Sequence, residues 1–315
     1  MKVLSPFLWT ACVTPFNYRG DSIDYSSLQR LLAIQTEAEN GVVLLGSTGE
    51  SLSLTDRERR ALVNFVCELE LSMKVIVGVP GVNLHQTLEW LDFCEGMPIY
   101  GYLMTTPIYT KPGIIGQTLW FEKLLEKAHV PAMLYNIPSR AGVSLYVETV
   151  RNLSGHKKFW SIKDSSGTID TLIEYKKVAP NIEVFCGDDN MILDMATYGA
   201  AGLVSVASNL WPCIAHRYVK QCLLSFQGMS LESEKKITAP VIENGVKSLA
   251  NIWQQVCKAL CTASNPIPTK VLLHDIGLIE HKTVRLPLSI EDLSSIETLR
   301  QVTGMVSKWE ELTDN

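Results

Sequence analysis

One lysine of this 315-residue chain lies where lysines are unusual, at the end of an apolar segment. Residues Phe159–Lys163 have the composition of a buried strand, whose pleat would turn the Lys163 side chain inward. In water a lysine is a free amine only to about one part in a few thousand at pH 7. Desolvation and a nearby cation such as Arg140 both favour the neutral amine. We therefore expect Lys163 to act as a nucleophile on a carbonyl carbon.

Polar residues also follow three other apolar segments. Gly46–Ser51 is a glycine turn with hydroxyl groups, and its free backbone N–H groups suit a carboxylate, although an ordinary tight turn has the same composition. Tyr109 and Tyr135 stand at the ends of the fourth and fifth apolar segments. Arg140 comes shortly after Tyr135, and its guanidinium is able to hold a carboxylate bidentately.

Together these groups indicate Schiff-base chemistry on a keto acid. An iminium on Lys163 withdraws electrons, so a proton leaves the adjacent methyl group and the resulting enamine is able to attack an aldehyde. We expect Tyr135, Ser47 and Tyr109 to relay the protons. The keto acid's carboxylate would bind the backbone N–H groups of Ser47 and Thr48.

These residues need a scaffold that gathers strand ends, and the sequence contains eight short apolar segments rich in β-formers. The predicted strands are Phe7–Val13, Val42–Leu45, Lys74–Val79, Gly101–Thr105, Ala132–Tyr135, Phe159–Lys163, Glu183–Cys186 and Gly202–Val206. Their starts are roughly 20 to 35 residues apart, which leaves room for crossover helices. Continuous apolar runs favour parallel strands buried on both faces. We predict an α/β fold, a (β/α)8 TIM barrel, whose active site lies at the carboxyl ends of the strands. The main competitor, a doubly wound open sheet, usually has a nucleotide-binding glycine loop after its first strand, and none is present there.

The remaining segments are predicted to form helices. Thr55 has capping-box spacing to Glu58, ahead of an apolar face at helical period. After about Phe226 the strand pattern stops, and helical patterns follow at Leu249–Leu260, Thr269–Leu273 and Ile290–Val306. We predict a catalytic barrel over residues 1–227 and a helical C-terminal domain over residues 228–315.

Composition excludes several classes of function. Hydrophobic residues make up 46% of the chain and charged residues 19%, which is a globular rather than a disordered composition. The net charge is −5, so nucleic-acid binding is not expected. No apolar run is long enough to cross a membrane. The apolar start resembles a signal peptide, but Pro6 interrupts it and no cleavage site follows, so we expect a first core strand instead. Eight scattered cysteines without zinc-site spacing predict a cytoplasmic protein with reduced thiols.

Several segments resemble one known family. The chain is similar to the dihydrodipicolinate synthases, of the pyruvate-dependent class I aldolase superfamily that also contains N-acetylneuraminate lyase. The matching segments occur in family order across nearly the whole chain, and they are Thr10–Phe16, Gly46–Ser51, Pro107–Tyr109, Tyr135–Arg140, Ile162–Asp164, Gly187–Asp189 and Asn265–Lys270.

The resemblance implies a reaction without a cofactor. Lys163 would condense with pyruvate, and the enamine would add to L-aspartate 4-semialdehyde. Cyclisation would then give 4-hydroxy-tetrahydrodipicolinate, an intermediate toward diaminopimelate and lysine. In the family the proton relay matches Tyr135, Ser47 and Tyr109, with Tyr109 supplied by a neighbouring subunit. The family usually has threonine at the position of Ser47. Serine has greater rotamer freedom than threonine, which is compatible with a lower activity.

The resemblance also assigns the second-substrate site. Arg140 would bind the carboxylate of the semialdehyde, Gly187 would line the same site, and Val204 would lie beside pyruvate. Lys270 is expected to be an ordinary lysine of the C-terminal domain. Two alternatives stay open: a sister aldolase acting on N-acetylneuraminate or a 2-keto-3-deoxy sugar acid, which Arg140 argues against, and a non-catalytic pyruvate-binding barrel.

The family resemblance implies a homodimer or homotetramer, because Tyr109 would complete the partner's site. Members that lysine inhibits bind it at the dimer interface, usually with His, Glu and Tyr. The corresponding positions here are Asp56 or Arg59, Thr87 and Ile108, with only Ser51 and Asn83 kept. Weak or absent inhibition by lysine is therefore expected. The six histidines lie outside the matching segments, and no catalytic role is expected for them.

Overall fold

Eight parallel strands close into a barrel in the structure, a computed structural model that describes residues 5–225 and 244–313. In chain order the strands are β1 (Leu8–Ala11), β2 (Gly41–Leu44), β3 (Val75–Val79), β4 (Gly101–Thr105), β5 (Ala132–Asn136), β6 (Phe159–Asp164), β7 (Glu183–Cys186) and β8 (Gly202–Ser205). Each strand pairs with the next, and β8 pairs with β1, where Val204 lies opposite Trp9. The predicted TIM barrel is confirmed, and the strand ends differ from the predicted ones by at most two residues.

Helices cover the connections between the strands. They are α1 (Tyr25–Glu37), α2 (Asp56–Glu68), α3 (Leu84–Phe93), α4 (Ile114–Lys127), α5 (Pro138–Ala141), α6 (Val147–Leu153), α7 (Ile169–Val178), α8 (Ile192–Thr197) and α9 (Pro212–Leu224). The capping box predicted at the start of α2 is present. Thr55 Oγ1 accepts the Glu58 backbone N–H at 3.2 Å, and the Glu58 carboxylate accepts the Thr55 backbone N–H at 2.9 Å.

Aromatic side chains fill the inside of the barrel toward the amino ends of its strands. Trp160 is in edge contact with Trp9, Tyr100 and Phe185, at ring-centroid distances of 6.0, 5.4 and 5.7 Å. Gly41 makes room for this plug, because a Cβ atom there would lie 2.4 Å from the Trp9 ring. Within the barrel of the described residues, space for a ligand therefore lies at the opposite mouth, where the strands end.

The C-terminal helices are α10 (Asn244–Leu260), α11 (Ile267–Asp275) and α12 (Ile296–Thr313). α10 packs on the barrel: the Trp253 indole donates to the backbone carbonyl of Asp189 at 2.9 Å, and its ring centroid lies 5.1 Å from that of Tyr218. The predicted domain boundary at 227/228 lies outside the described residues, so the division stays a prediction. No helix among the described residues combines the length and apolar composition needed to cross a membrane.

The last helix begins later than the sequence pattern predicts. Residues Ile290–Asp292 form a separate 3-10 turn, in which Ser289 Oγ accepts the Glu291 backbone N–H at 3.2 Å. The chain then becomes extended at Leu293, and α12 begins at Ile296. The local cap thus separates two segments that share an apolar period.

Candidate active site

Lys163 lies at the centre of the candidate site, near the carboxyl end of β6. β5 and β6 are paired so that Tyr135 stands directly opposite Lys163. Both residues are 5% exposed, and Lys163 Nζ lies 4.2 Å from the centroid of the Tyr135 ring. The amine is therefore held in the barrel mouth against a phenol ring, largely out of solvent.

A cavity of about 330 Å³ opens over Lys163 at the carboxyl ends of the strands. Six of the eight predicted site residues line it, namely Ser47, Thr48, Tyr135, Arg140, Lys163 and Gly187. They come from the loop after β2, from β5 and the short α5, from β6 and from the loop after β7. The closed barrel thus gathers residues that are far apart in the sequence around one space.

The glycine turn after β2 presents two free backbone donors. Gly49 N–H donates to Gly46 O, and Glu50 N–H donates to Ser47 O, both at 3.1 Å. Across residues 5–225 and 244–313, the backbone N–H groups of Ser47 and Thr48 have no acceptor. Since both residues line the cavity, adjacent donors remain available to a carboxylate there.

Gly187 provides the space in which Lys163 lies. A Cβ atom on Gly187 would come 2.1 Å from Ser165 Oγ and 3.1 Å from Lys163 Cε. The backbone N–H of Gly187 donates to Asp164 O at 2.8 Å, which fixes the loop after β7 against β6. Glycine is needed here for close approach rather than for an unusual backbone angle.

Arg140 stands on the exposed side of the cavity. The residue belongs to the short α5, and its guanidinium donates to the backbone carbonyl of Asn265 at 3.4 Å. The side chain amide of Asn265 in turn donates to Thr48 Oγ1 at 2.8 Å. A planar cation therefore lines the same cavity as Lys163, and a guanidinium is able to hold a second carboxylate bidentately.

Two carboxyl groups at the ends of β6 and β7, the buried Asp164 and the half-buried Asp188, have raised pKa values. Burial raises the pKa of Asp164 to about 6, although hydrogen bonds from Asn136 and Ser166 oppose the shift. Burial also raises the pKa of Asp188, which lines the cavity, and the positive charge of Lys163 opposes this shift. Of these two groups Asp188 lines the cavity, so the site offers an acidic group whose proton affinity exceeds that of a carboxyl in water.

Tyr109 lies away from the cavity of its own chain. Its side chain is 91% exposed, and its backbone N–H donates to Ala141 O at 3.1 Å. Its φ of 65° is in the left-handed region, which is unusual for a residue other than glycine. Within one chain, Tyr109 does not contribute to the site around Lys163.

Val204 also lies outside the cavity lining. It is fully buried within the barrel and belongs to the same apolar cluster as Tyr135 and Phe185. Val206, just after β8, lines the cavity instead. The alternation of side chains along β8 leads from an inward position at Val204 to the mouth two residues later.

Several residues that line the cavity were not among the site residues predicted from the sequence. Asp188 and Asn265 belong to segments that carry the family resemblance, and their positions after β7 and before α11 were the available signal. Cys257 belongs to α10 and Cys261 directly follows the end of that helix, and no pattern in the sequence links this segment to the barrel mouth. None of the six histidines lines this cavity.

Comparison with protein families identifies one match over most of the chain. The model of the dihydrodipicolinate synthetase family matches residues 7–303. A curated relative from Wolbachia pipientis subsp. Culex pipiens, named 4-hydroxy-tetrahydrodipicolinate synthase, is 74% identical over 311 residues and covers 99% of both chains.

Solved structures show the same fold. A dihydrodipicolinate synthase from Aquifex aeolicus superposes with a TM-score of 0.84 at 26% identity, covering 97% of this chain and 98% of that one. A dihydrodipicolinate synthase variant described as monomeric has a TM-score of 0.82, also at 26% identity and with 97% coverage of both chains. With a family model and a 74% identical relative both spanning the barrel and the C-terminal helices, this chain belongs to the dihydrodipicolinate synthetase family.

Proposed function

We propose that this chain condenses pyruvate with L-aspartate 4-semialdehyde to give 4-hydroxy-tetrahydrodipicolinate, with Lys163 as the Schiff-base residue. The observation that carries the proposal is the pairing of buried Lys163 with Tyr135 beneath a cavity that holds carboxylate-binding groups. The name of a relative at 74% identity supports the same reaction. The sister aldolases of sugar acids lack this support.

The first half of the reaction uses the inner part of the cavity. Lys163 Nζ attacks the keto carbon of pyruvate, water leaves, and an iminium forms. The free N–H groups of Ser47 and Thr48 bind the pyruvate carboxylate. Tyr135 lies against the amine and exchanges protons with the carbinolamine oxygen and the methyl carbon. The iminium itself is the electron sink, so we propose that no further cofactor takes part.

The second half uses the outer part of the cavity. The enamine carbon attacks the aldehyde of the semialdehyde, and the new alkoxide takes a proton from the relay of Tyr135, Ser47 and a second tyrosine. Arg140 binds the carboxylate of this substrate. The amino group of the substrate then attacks the iminium carbon, which closes the ring and releases Lys163. Gly187 leaves room for the chain of the bound adduct.

The second tyrosine of the relay is Tyr109 of a neighbouring copy of this chain. Tyr109 is 91% exposed and is absent from its own cavity, which contains no other tyrosine than Tyr135 among the described residues. Leu52, 70% exposed, and Ile108 line an adjoining cavity of about 310 Å³, so an apolar surface is available for the contact. We propose a homodimer, alone or as half of a homotetramer. The cytoplasmic location expected from the sequence stays a prediction.

A coupled assay tests the reaction. Pyruvate and aspartate semialdehyde are supplied with the next enzyme, and its NADPH-dependent reduction is followed. Turnover by the wild type that is lost in Lys163→Ala is the expected result. No turnover, with a pyruvate adduct still trapped on Lys163 by borohydride, would replace the proposal by a sister aldolase. Absence of any adduct would indicate a non-catalytic barrel.

A further inference from the structure

Lys270 of α11 is completely buried, which is rare for a lysine unless it is paired. Its ammonium donates to the carboxylate of Glu50 and to the backbone carbonyl of Thr283, the latter at 2.9 Å. It also lies 4.1 Å from the centroid of the Phe16 ring. Burial lowers the pKa of Lys270, and the Glu50 carboxylate opposes this shift. The expectation of an ordinary lysine of the C-terminal domain therefore misses a buried ion pair.

Glu50 belongs to the glycine turn and has a strained backbone. Its φ of 52° and ψ of 35° are left-handed, a conformation that is unfavourable for residues with a Cβ. Such a conformation persists only where the surroundings enforce it. The two carboxylate oxygens of Glu50 are held by Lys270 and, at 2.8 Å, by the backbone N–H of Arg285. The C-terminal chain thus fixes the side chain of a residue whose backbone is strained.

This anchor is continuous with the pyruvate-binding part of the turn. Glu50 N–H donates to Ser47 O at 3.1 Å, and Thr14 Oγ1 donates to Gly49 O at 2.7 Å. At the other side Asn265 donates to Thr48 Oγ1 at 2.8 Å. The orientation of the free N–H groups of Ser47 and Thr48 therefore depends on contacts from outside the turn.

We infer that Lys270 is a positioning residue for pyruvate: its buried ion pair with Glu50 holds the turn so that the N–H groups of Ser47 and Thr48 face the substrate carboxylate. The inference rests on the proposed function, because it concerns the same substrate. It assigns Lys270 no contact with the reacting atoms.

A merely structural role predicts something different. A buried ion pair often contributes little net stability compared with an apolar pair of the same shape, whereas removing one partner alone is destabilising. A structural role would lower the free energy of unfolding and leave pyruvate binding by the folded enzyme unchanged. A positioning role raises the pyruvate concentration needed for half-saturation.

The test uses the full-length protein with three changes, Lys270→Met, Glu50→Gln and the two combined. Borohydride trapping on Lys163 is measured against pyruvate concentration, together with KM for pyruvate and kcat. We expect KM for pyruvate and the half-saturating concentration for trapping to rise at least about tenfold, with a smaller change in kcat at saturating pyruvate. Arg300→Met, which removes an exposed ion pair with Asp275 from the same helical region, is expected to leave both values unchanged.

Circular dichroism and thermal unfolding establish which variants are folded. If Lys270→Met does not fold, Glu50→Gln, which has the same shape as glutamate, and the charge-free double variant carry the test. A folded variant of either residue that traps pyruvate with the half-saturation of the wild type would overturn the inference. A wild type that forms no adduct would overturn the proposed function instead, and the two failures are therefore distinguishable.

Discussion

At the scale of single residues, Gly187 determines whether Lys163 has room to react. A Cβ atom there would meet Ser165 Oγ at 2.1 Å and Lys163 Cε at 3.1 Å. We expect Gly187→Ala to displace the amine and to lower kcat/KM by about 10-fold to 100-fold, because small misplacements of reacting atoms are costly. Steady-state kinetics with both substrates measures the effect.

A glycine with open space around it is the matched control. Nothing lies within 4 Å of a Cβ atom built on Gly304 of α12. Gly304→Ala should keep full activity and raise the free energy of unfolding by about 0.5–1 kcal/mol, since alanine favours helix. Wild-type kinetics in Gly187→Ala would contradict the prediction, because they would show that the loop after β7 shifts to accommodate the methyl group.

Single residues also mark the limit of prediction from the sequence. The placement of Lys163 and Tyr135 in the candidate site was predictable, because polar residues at the ends of apolar segments can be recognised from the sequence alone. The ion pair of Lys270 was not, because its partner Glu50 is 220 positions away in the chain. The expected place of Val204 beside pyruvate stays a prediction, since Val204 is buried in the same apolar cluster as Tyr135 and does not line the cavity.

Among the secondary-structure elements, β6 ends in a residue that makes the free energy of unfolding depend on pH. Asp164 is 1% exposed, and burial raises its pKa to about 6. An unfolded aspartate has a pKa of about 3.9, so the folded state binds the proton more tightly. The contribution of Asp164 to the free energy of unfolding is therefore fully present below about pH 4 and is lost as pH rises to about 6. The total loss is up to about 3 kcal/mol.

Asp164→Asn should remove this dependence. An asparagine keeps the acceptor that Asn136 and the backbone N–H of Ser166 use, and its amide is able to donate to Ser166 Oγ. Urea unfolding at several values between pH 4 and 7 should show a flatter profile than the wild type. Asp170→Asn, on the exposed first turn of α7, should keep the wild-type profile. If the free energy of unfolding changed with pH equally in Asp164→Asn and in the wild type, Asp164 would not be the source of the pH dependence.

The elements themselves were largely predictable. Short, continuously apolar segments at crossover spacing identify the parallel strands, and the capping box at Thr55 identifies the start of α2. The predicted start of α12 was wrong. The apolar periodicity runs on from Ile290, but a local cap at Ser289 forms a separate 3-10 turn before the helix begins. The contribution of α10 to the cavity depends on tertiary packing, which no local pattern contains.

At the scale of the whole molecule, the position of Tyr109 predicts complementation between inactive subunits. Tyr109→Phe and Lys163→Ala should each be inactive or nearly so alone. Reassociation after mixing equal amounts gives half of the dimers as hybrids, and each hybrid has one site with both groups intact. Activity should therefore recover to about a quarter of the wild type, as the symmetry of a dimer requires. No recovery, although hybrids form, would place Tyr109 at its own subunit's site.

Regulation by lysine is predicted to be weak or absent. Thr87 is buried and donates to the backbone carbonyl of Asn83 at 2.8 Å, and Arg59 donates to Ser51 O at 3.3 Å. Thr87 and the apolar Ile108 offer no carboxylate to a lysine ammonium, and the carboxylate of Asp56 is already paired with Arg60 at 2.6 Å and with Arg59 at 3.8 Å. Initial rates measured against lysine concentration test the prediction, and a submillimolar inhibition constant would contradict it.

Lys163 is proposed to form the Schiff base with pyruvate, and borohydride trapping followed by peptide mass spectrometry tests this role most directly. The protein is reduced in the presence of pyruvate, digested and mapped. We predict one pyruvate-derived adduct on the peptide that contains Lys163, absent when pyruvate is omitted and absent from Lys163→Ala. An adduct on a different lysine, or none on the wild type, would contradict the role of Lys163 as the Schiff-base residue.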